Sequence, residues 1–150
     1  MAYYKTYIEL CDYFAAMPTS VTELKTVVVG SDEEEISLQN SRIVYPCLRV
    51  DTPTIRYIDE DNTPRTRYRF TLFLGTNEPK KTNADENAAL SAMEALLRKV
   101  YKRLWTDADA GLFDLVLGDA GGDAIRHWSA DNLFGWMLTI DIDLYPDECA

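Results

Sequence analysis

The sequence is poor in the residues that most catalytic and metal centres use. It holds one histidine, His127, and three cysteines, Cys11, Cys47 and Cys149, in 150 residues. The cysteines are odd in number and widely spaced, with no C-x-x-C pair, so neither a zinc site nor a disulfide framework is expected. Reduced thiols in a cytosolic-type compartment fit that pattern. No hydrophobic run approaches the roughly 18 residues that a membrane span needs. Met1-Ala2-Tyr3-Tyr4-Lys5 is not a basic-then-apolar leader, so no secretion signal is expected. Positive charge is scarce as well: 15 Lys and Arg stand against 25 Asp and Glu, a net charge of −10. Such a surface repels duplex phosphates, which are bound by clustered cations, and argues against sequence-specific nucleic-acid binding. Gly118-Asp119-Ala120-Gly121-Gly122 does not match the glycine spacing of a phosphate cradle. No internal repeat, low-complexity stretch or long linker divides the chain, so residues 1–150 are expected to form one domain.

Hydrophobic residues are not scarce. They make up 47% of the chain, enough for a core at this length without metal or disulfide staples. Their periodicity sets out the elements. Residues 3–16 carry Tyr4, Tyr7, Ile8, Leu10, Cys11 and Phe14 on one helical face, and Met17-Pro18-Thr19-Ser20 is expected to end that helix. Thr26 to Val29 is a β-branched run and reads as a strand closed by Gly30 and Ser31. Ser31-Asp32-Glu33-Glu34 starts a short acidic helix reaching Gln39. Residues 42–50 read as a strand with an irregular start at Pro46, and residues 51–65, with Pro53, Pro64 and Asp59-Glu60-Asp61-Asn62, as a polar mobile loop.

Residues 66–74 alternate: Tyr68, Phe70, Leu72 and Leu74 point one way, Arg67, Arg69 and Thr71 the other, with Phe73 out of pattern. An antiparallel hairpin with 42–50 follows. Gly75 to Lys81 is a turn. The spacing of Leu90, Met93, Leu97, Val100 and Leu104 predicts a long helix over 84–105, capped by Thr82 or Asn83. Asp85 and Glu86 mark its start, and Arg98, Lys99, Lys102 and Arg103 fill its last turns. Residues 111–118 are apolar and of open type, Gly121-Gly122 is a turn, 124–129 a short strand, and Asp131-Asn132 another turn. In 133–144, Phe134, Trp136, Leu138, Ile140, Ile142 and Leu144 share one face of a long strand. The fold class is α+β: a mostly antiparallel sheet with one long helix and shorter helices packed on one face.

Few residue groups carry chemistry. A lone His127 is expected to be structural or superficial rather than a metal ligand. A Cys47–His127 nucleophilic pair lacks an elbow, an oxyanion motif and a third partner. Asp59-Glu60-Asp61-Asn62 has neither the ligand spacing nor the central glycine of a calcium loop. Asp141 and Asp143 share one strand face. Paired carboxylates can act as acid and base, but Arg67 and Arg69 have the same spacing, and cross-strand ion pairs would satisfy both sets. A face alternating Asp and Arg can also be an interface. In Asn132-Leu133-Phe134-Gly135-Trp136, Gly135 is expected to relieve a crowded or bulged point. Trp128 and Trp136 fit either core or interface roles. The candidate interface residues are Trp128, Trp136, Arg67, Arg69, Asp141, Asp143, Asp59, Glu60 and Asp61, with no catalytic, cofactor or metal site.

Three segments carry a resemblance. Ile43-Val44-Tyr45-Pro46-Cys47-Leu48-Arg49-Val50-Asp51 reads as I-x-(Y/F)-P-x-L-x-(V/L)-(E/D). The charged helix 84–105 follows the second hairpin strand, and Ser129-Ala130-Asp131-Asn132-Leu133-Phe134-Gly135-Trp136 runs into an alternating strand. Across about residues 40–145 the chain resembles small tail-assembly proteins of bacteriophages and prophages, of the tail-terminator or neck type. The resemblance implies a small sheet flanked by helices, a non-enzymatic role, no cofactor, and copies that assemble into a ring at the tail–head junction. Its implied partners are the chain itself and other tail or connector proteins, in the virion tail or in the bacterial cytoplasm during assembly. No membrane or small-molecule substrate is expected. An acidic adaptor or inhibitor of the immunity type is the alternative, since acidity suits a protein that covers a basic partner. A small enzyme using Asp141 and Asp143 is a third reading.

Overall fold

Helix formation begins where the sequence offers a cap. The structure, a computed structural model, describes residues 3–30, 44–60, 63–77, 82–116, 122–128 and 133–145. The Thr6 side chain accepts the Glu9 N–H, and Glu9 Oε1 accepts the Thr6 N–H at 3.2 Å. This reciprocal box starts helix α1 (Tyr7–Ala15), which buries Leu10 and Phe14, one turn apart on one face. The four residues expected to end that helix form a second one, α2 (Met17–Ser20). Pro18 sits in its first turn, where a missing N–H forfeits no bond.

The long helix α3 (Asn83–Asp109) is capped by Thr82, whose side chain accepts the Asp85 N–H at 3.2 Å. It runs four residues past its expected end, because no helix breaker precedes Gly111, which adopts φ +88°. Its last turn therefore holds no basic residue, and the expected cationic end is corrected: Arg98, Lys99, Lys102 and Arg103 lie further back along the helix. No helix among the described residues is long and apolar enough to cross a membrane.

Among the described residues seven strands make the sheet: β1 (Thr26–Val29), β2 (Cys47–Val50), β3 (Thr54–Glu60), β4 (Thr63–Thr76), β5 (Asp114–Leu115), β6 (Gly122–Trp128) and β7 (Leu133–Leu144). The order is β1-β2-β4-β7-β5, with β3 paired to β4 and β6 to β7. β1 and β2 run parallel, and the other pairings among the described residues are antiparallel. The spine is the β4–β7 ladder, in register from Thr66↔Leu144 to Thr76↔Phe134. Phe70, Leu72, Leu74, Ile140, Ile142 and Leu144 are buried on one face against Leu10, Phe14, Met93, Leu97 and Val100 of the helices. Each such side chain contributes about 1.5–3 kcal/mol on burial. Phe14 meets Phe70 at 5.1 Å between ring centroids.

Gly135 lies opposite Gly75 in this ladder. A Cβ on Gly135 would overlap the carbonyl oxygen of Leu74 and stand 2.7 Å from the Gly75 Cα. The crowded point expected in that segment is therefore real, and only glycine fits it.

The expected polar loop over 51–65 is corrected by the structure. Thr54 to Glu60 is strand β3, and only two residues separate it from β4. Pro64 is tolerated because β7 pairs with β4 only from Thr66 onward. The strand expected over 42–50 is observed as β2 from Cys47, directly after Pro46. Gly122 opens β6 rather than a turn. In the apolar stretch 111–118, Leu112 and Phe113 are buried and Asp114–Leu115 forms β5. The acidic segment 31–39, Asp61, Asp131-Asn132 and Cys149 lie outside the described residues.

Candidate interface

Strands β2 and β3 are one extended run broken by a bulge. Val50 pairs with Leu72, and Thr54 pairs with Arg69, so three residues on one side oppose two on the other. The extra residue reverses the alternation of the strand. In β2 the even residues Leu48 and Val50 join the buried face; in β3 the odd residues Ile55 and Tyr57 lie on that face, opposite Tyr68 and Thr66. The helices cover β2 but stop short of β3. Ile55 is 52% exposed and Tyr57 78% exposed. Beside them Tyr7 of α1 stacks on Tyr68 at 5.8 Å, and burial, with a hydrogen bond to Cys11 next, pushes the Tyr7 phenol up to about 12. Among the described residues no strand pairs with the outer side of β3.

The opposite face of the same strands is charged, and its charges are arranged across the ladder. Arg67 lies directly opposite Asp143, and Arg69 opposite Asp141. Arg67 donates from Nε at 2.8 Å and from its terminal nitrogen at 3.0 Å to the two oxygens of Asp143. Arg65 adds a third bond to the same carboxylate at 2.8 Å. Arg69 forks onto Asp141 at 2.9 and 3.0 Å. These are the cross-strand ion pairs expected from the shared spacing. Hydrogen bonding by Arg69 holds the Asp141 carboxyl below its usual range, although its partial burial opposes this. Both carboxylates are thus engaged by guanidiniums, and Asp141 is not poised as a general acid.

Asp143 is buried, whereas Arg69 is largely exposed. The face therefore grades from a buried ionic knot to an open rim. Phe73, out of pattern in the sequence, has its reason here: the Arg49 guanidinium lies 5.3 Å above its ring. Arg49 also contacts Asp51 at 2.7 Å.

The remaining candidates fall in different places. Trp136 is half-buried against the core, and its Nε1–H donates to the Leu90 carbonyl of α3 at 2.8 Å, which anchors the helix to the sheet. Trp128 closes β6, paired with Leu133; its side chain lies outside the described atoms, as does that of Glu60 at the end of β3. Asp59 is exposed on β3, opposite Pro64. Cys47 and His127 belong to β2 and β6, which β4 and β7 separate. Three strand spacings put their backbones about 14 Å apart, beyond hydrogen-bond reach. Burial also pushes the Cys47 thiol up to about 11, so it stays protonated near neutrality.

The sequence reading missed Ile55, Arg56 and Tyr57. Arg56 lies opposite Arg67, is exposed, and makes no ion pair among the described residues. The available signal was the β-favouring alternation of Thr54-Ile55-Arg56-Tyr57-Ile58, hidden between two prolines and an acidic run. Also missed was a cleft of about 430 Å³ between α1, α2 and the end of α3, lined by Tyr4, Glu9, Asp12, Tyr13, Arg103 and Asp107 among others. The Tyr13 hydroxyl donates to Asp107 at 2.7 Å, and Arg103 forks onto the same carboxylate at 2.7 and 2.9 Å. Burial and this bond to Asp107 push the Tyr13 phenol far up. No protein-family model and no curated protein matches the chain.

Proposed function

We propose that the chain is a non-enzymatic phage or prophage tail-assembly protein of the tail-terminator or neck type, joining copies of itself into a ring at the tail–head junction. The observation that carries this reading is the β3 edge. It is an unpaired strand edge among the described residues, with Ile55 and Tyr57 exposed on one face and Arg56 on the other. Edges of this kind are normally shortened, charged over or covered, because they template association. Here two large apolar side chains are held out on a hairpin whose other strand is fixed in the spine of the fold. The resemblance across residues 40–145 supports the same reading, as does the net charge of −10, which suits a ring that stands beside DNA without gripping it.

Light scattering behind size exclusion, over a wide protein concentration range, tests the proposal. A discrete ring-sized species, or a mass that climbs with concentration, is the expected result. A strict monomer at every concentration contradicts self-assembly and favours the acidic adaptor.

A further inference from the structure

A closed ring needs a head-to-tail contact, in which two different surfaces of one chain meet on neighbouring copies. The β3 edge supplies one surface, and the second should complement it in shape and charge. We infer that the cleft between α1, α2 and α3 of a second copy receives the β3 edge, with Arg56 and Tyr57 set against Asp12 and the rings of Tyr4 and Tyr13. This docking deepens the ring reading above and rests on it.

Charge points to this occupant. Residues 49–69 hold five arginines and four acidic residues, so the rest of a chain of net charge −10 carries −11. On the hairpin Arg65, Arg67 and Arg69 are taken up by Asp143 and Asp141, which leaves Arg56 as an exposed cation without an ion pair among the described residues. At the cleft the Arg103 charge is taken up by the buried Asp107 carboxylate. Asp12, which lines the cleft, is exposed and makes no ion pair among the described residues. A guanidinium suits such a place because it bonds carboxylates through its fork and stacks on aromatic faces. Shape agrees as well: a protruding edge meets a concavity of about 430 Å³.

The contact must join two copies. On α1, Tyr7 turns toward Tyr68 and the β3 side, whereas Tyr13 turns toward Asp107 of α3. The helix therefore stands between the β3 edge and the cleft of the same chain.

A charge swap tests the docking by sedimentation velocity on the full chain. Arg56→Glu and Asp12→Arg are each expected to weaken self-association by about tenfold or more, because each sets like charges together. The double variant restores opposite charges at the contact and is expected to recover to within about threefold of the wild type. Both positions are exposed, so circular dichroism of each variant should match the wild type. If the wild type assembles and the single variants assemble equally well, the docking is wrong and the ring reading stands. Single variants that lose assembly without recovery in the double variant also overturn the docking. A wild type that never assembles overturns both.

Discussion

Strand β4 passes through two environments. Its C-terminal half, Phe70 to Thr76, lies between β2 and β7 and sends Phe70, Leu72 and Leu74 into the core. Its N-terminal half, Thr63 to Arg69, pairs with β3 instead, and none of its side chains is fully buried. One strand thus serves as scaffold at one end and as display at the other. The bulge at residues 51–53 divides the two, since it reverses which side chains of the neighbouring strand face the helices. A hairpin that existed only for stability would have no reason to hold Ile55 and Tyr57 in water after the core has ended.

The scaffold end is the more sensitive to substitution. Gly135→Ala is expected to destabilise the fold by about 4 kcal/mol or more, at the limit of what single substitutions do. The added Cβ meets backbone on β4, which cannot turn aside as a side chain would. Denaturant unfolding followed by circular dichroism measures the loss.

The two ion pairs both lie along the N-terminal half of β4 and differ in burial. Asp143→Ala leaves Arg65 and Arg67 without their shared, buried partner and is expected to cost about 3 kcal/mol. Asp141→Asn is expected to cost much less, because Arg69 is 63% exposed and water replaces the lost bonds. The Asp141 pair also fixes a pH dependence. Its carboxyl is depressed in the folded state, so its contribution is present above the unfolded value of about 4 and is lost as pH falls through the folded value. Chemical denaturation at a series of acidic pH values should show the Asp141→Asn variant losing less stability on acidification than the wild type.

Much of the scaffold was legible in the sequence, because its elements are long and periodic. Strand β7 was bounded correctly at Leu133 and Leu144, and its buried face was read correctly. The pairing of Arg67 and Arg69 with Asp143 and Asp141 was legible too, since strand periodicity fixes which residues share a face. The display end was harder to read. Pro53, Pro64 and the acidic run are turn-like residues, and they outweighed the short alternation of Thr54 to Ile58. The bulge has no local signature, because it exists only as a mismatch between two strands. The cleft at Tyr13 and Asp107 joins residues 94 positions apart and depends on how α1 packs on α3.

The β3 edge is proposed to serve assembly, while β4 from Phe70 onward serves the fold. Sedimentation velocity of the Ile55→Ser/Tyr57→Ser double variant beside the wild type tests this division most directly. The expected result is a monomeric variant whose unfolding midpoint matches that of the wild type at concentrations too dilute for assembly, since both side chains are already exposed. A variant that assembles as the wild type does would contradict the claim.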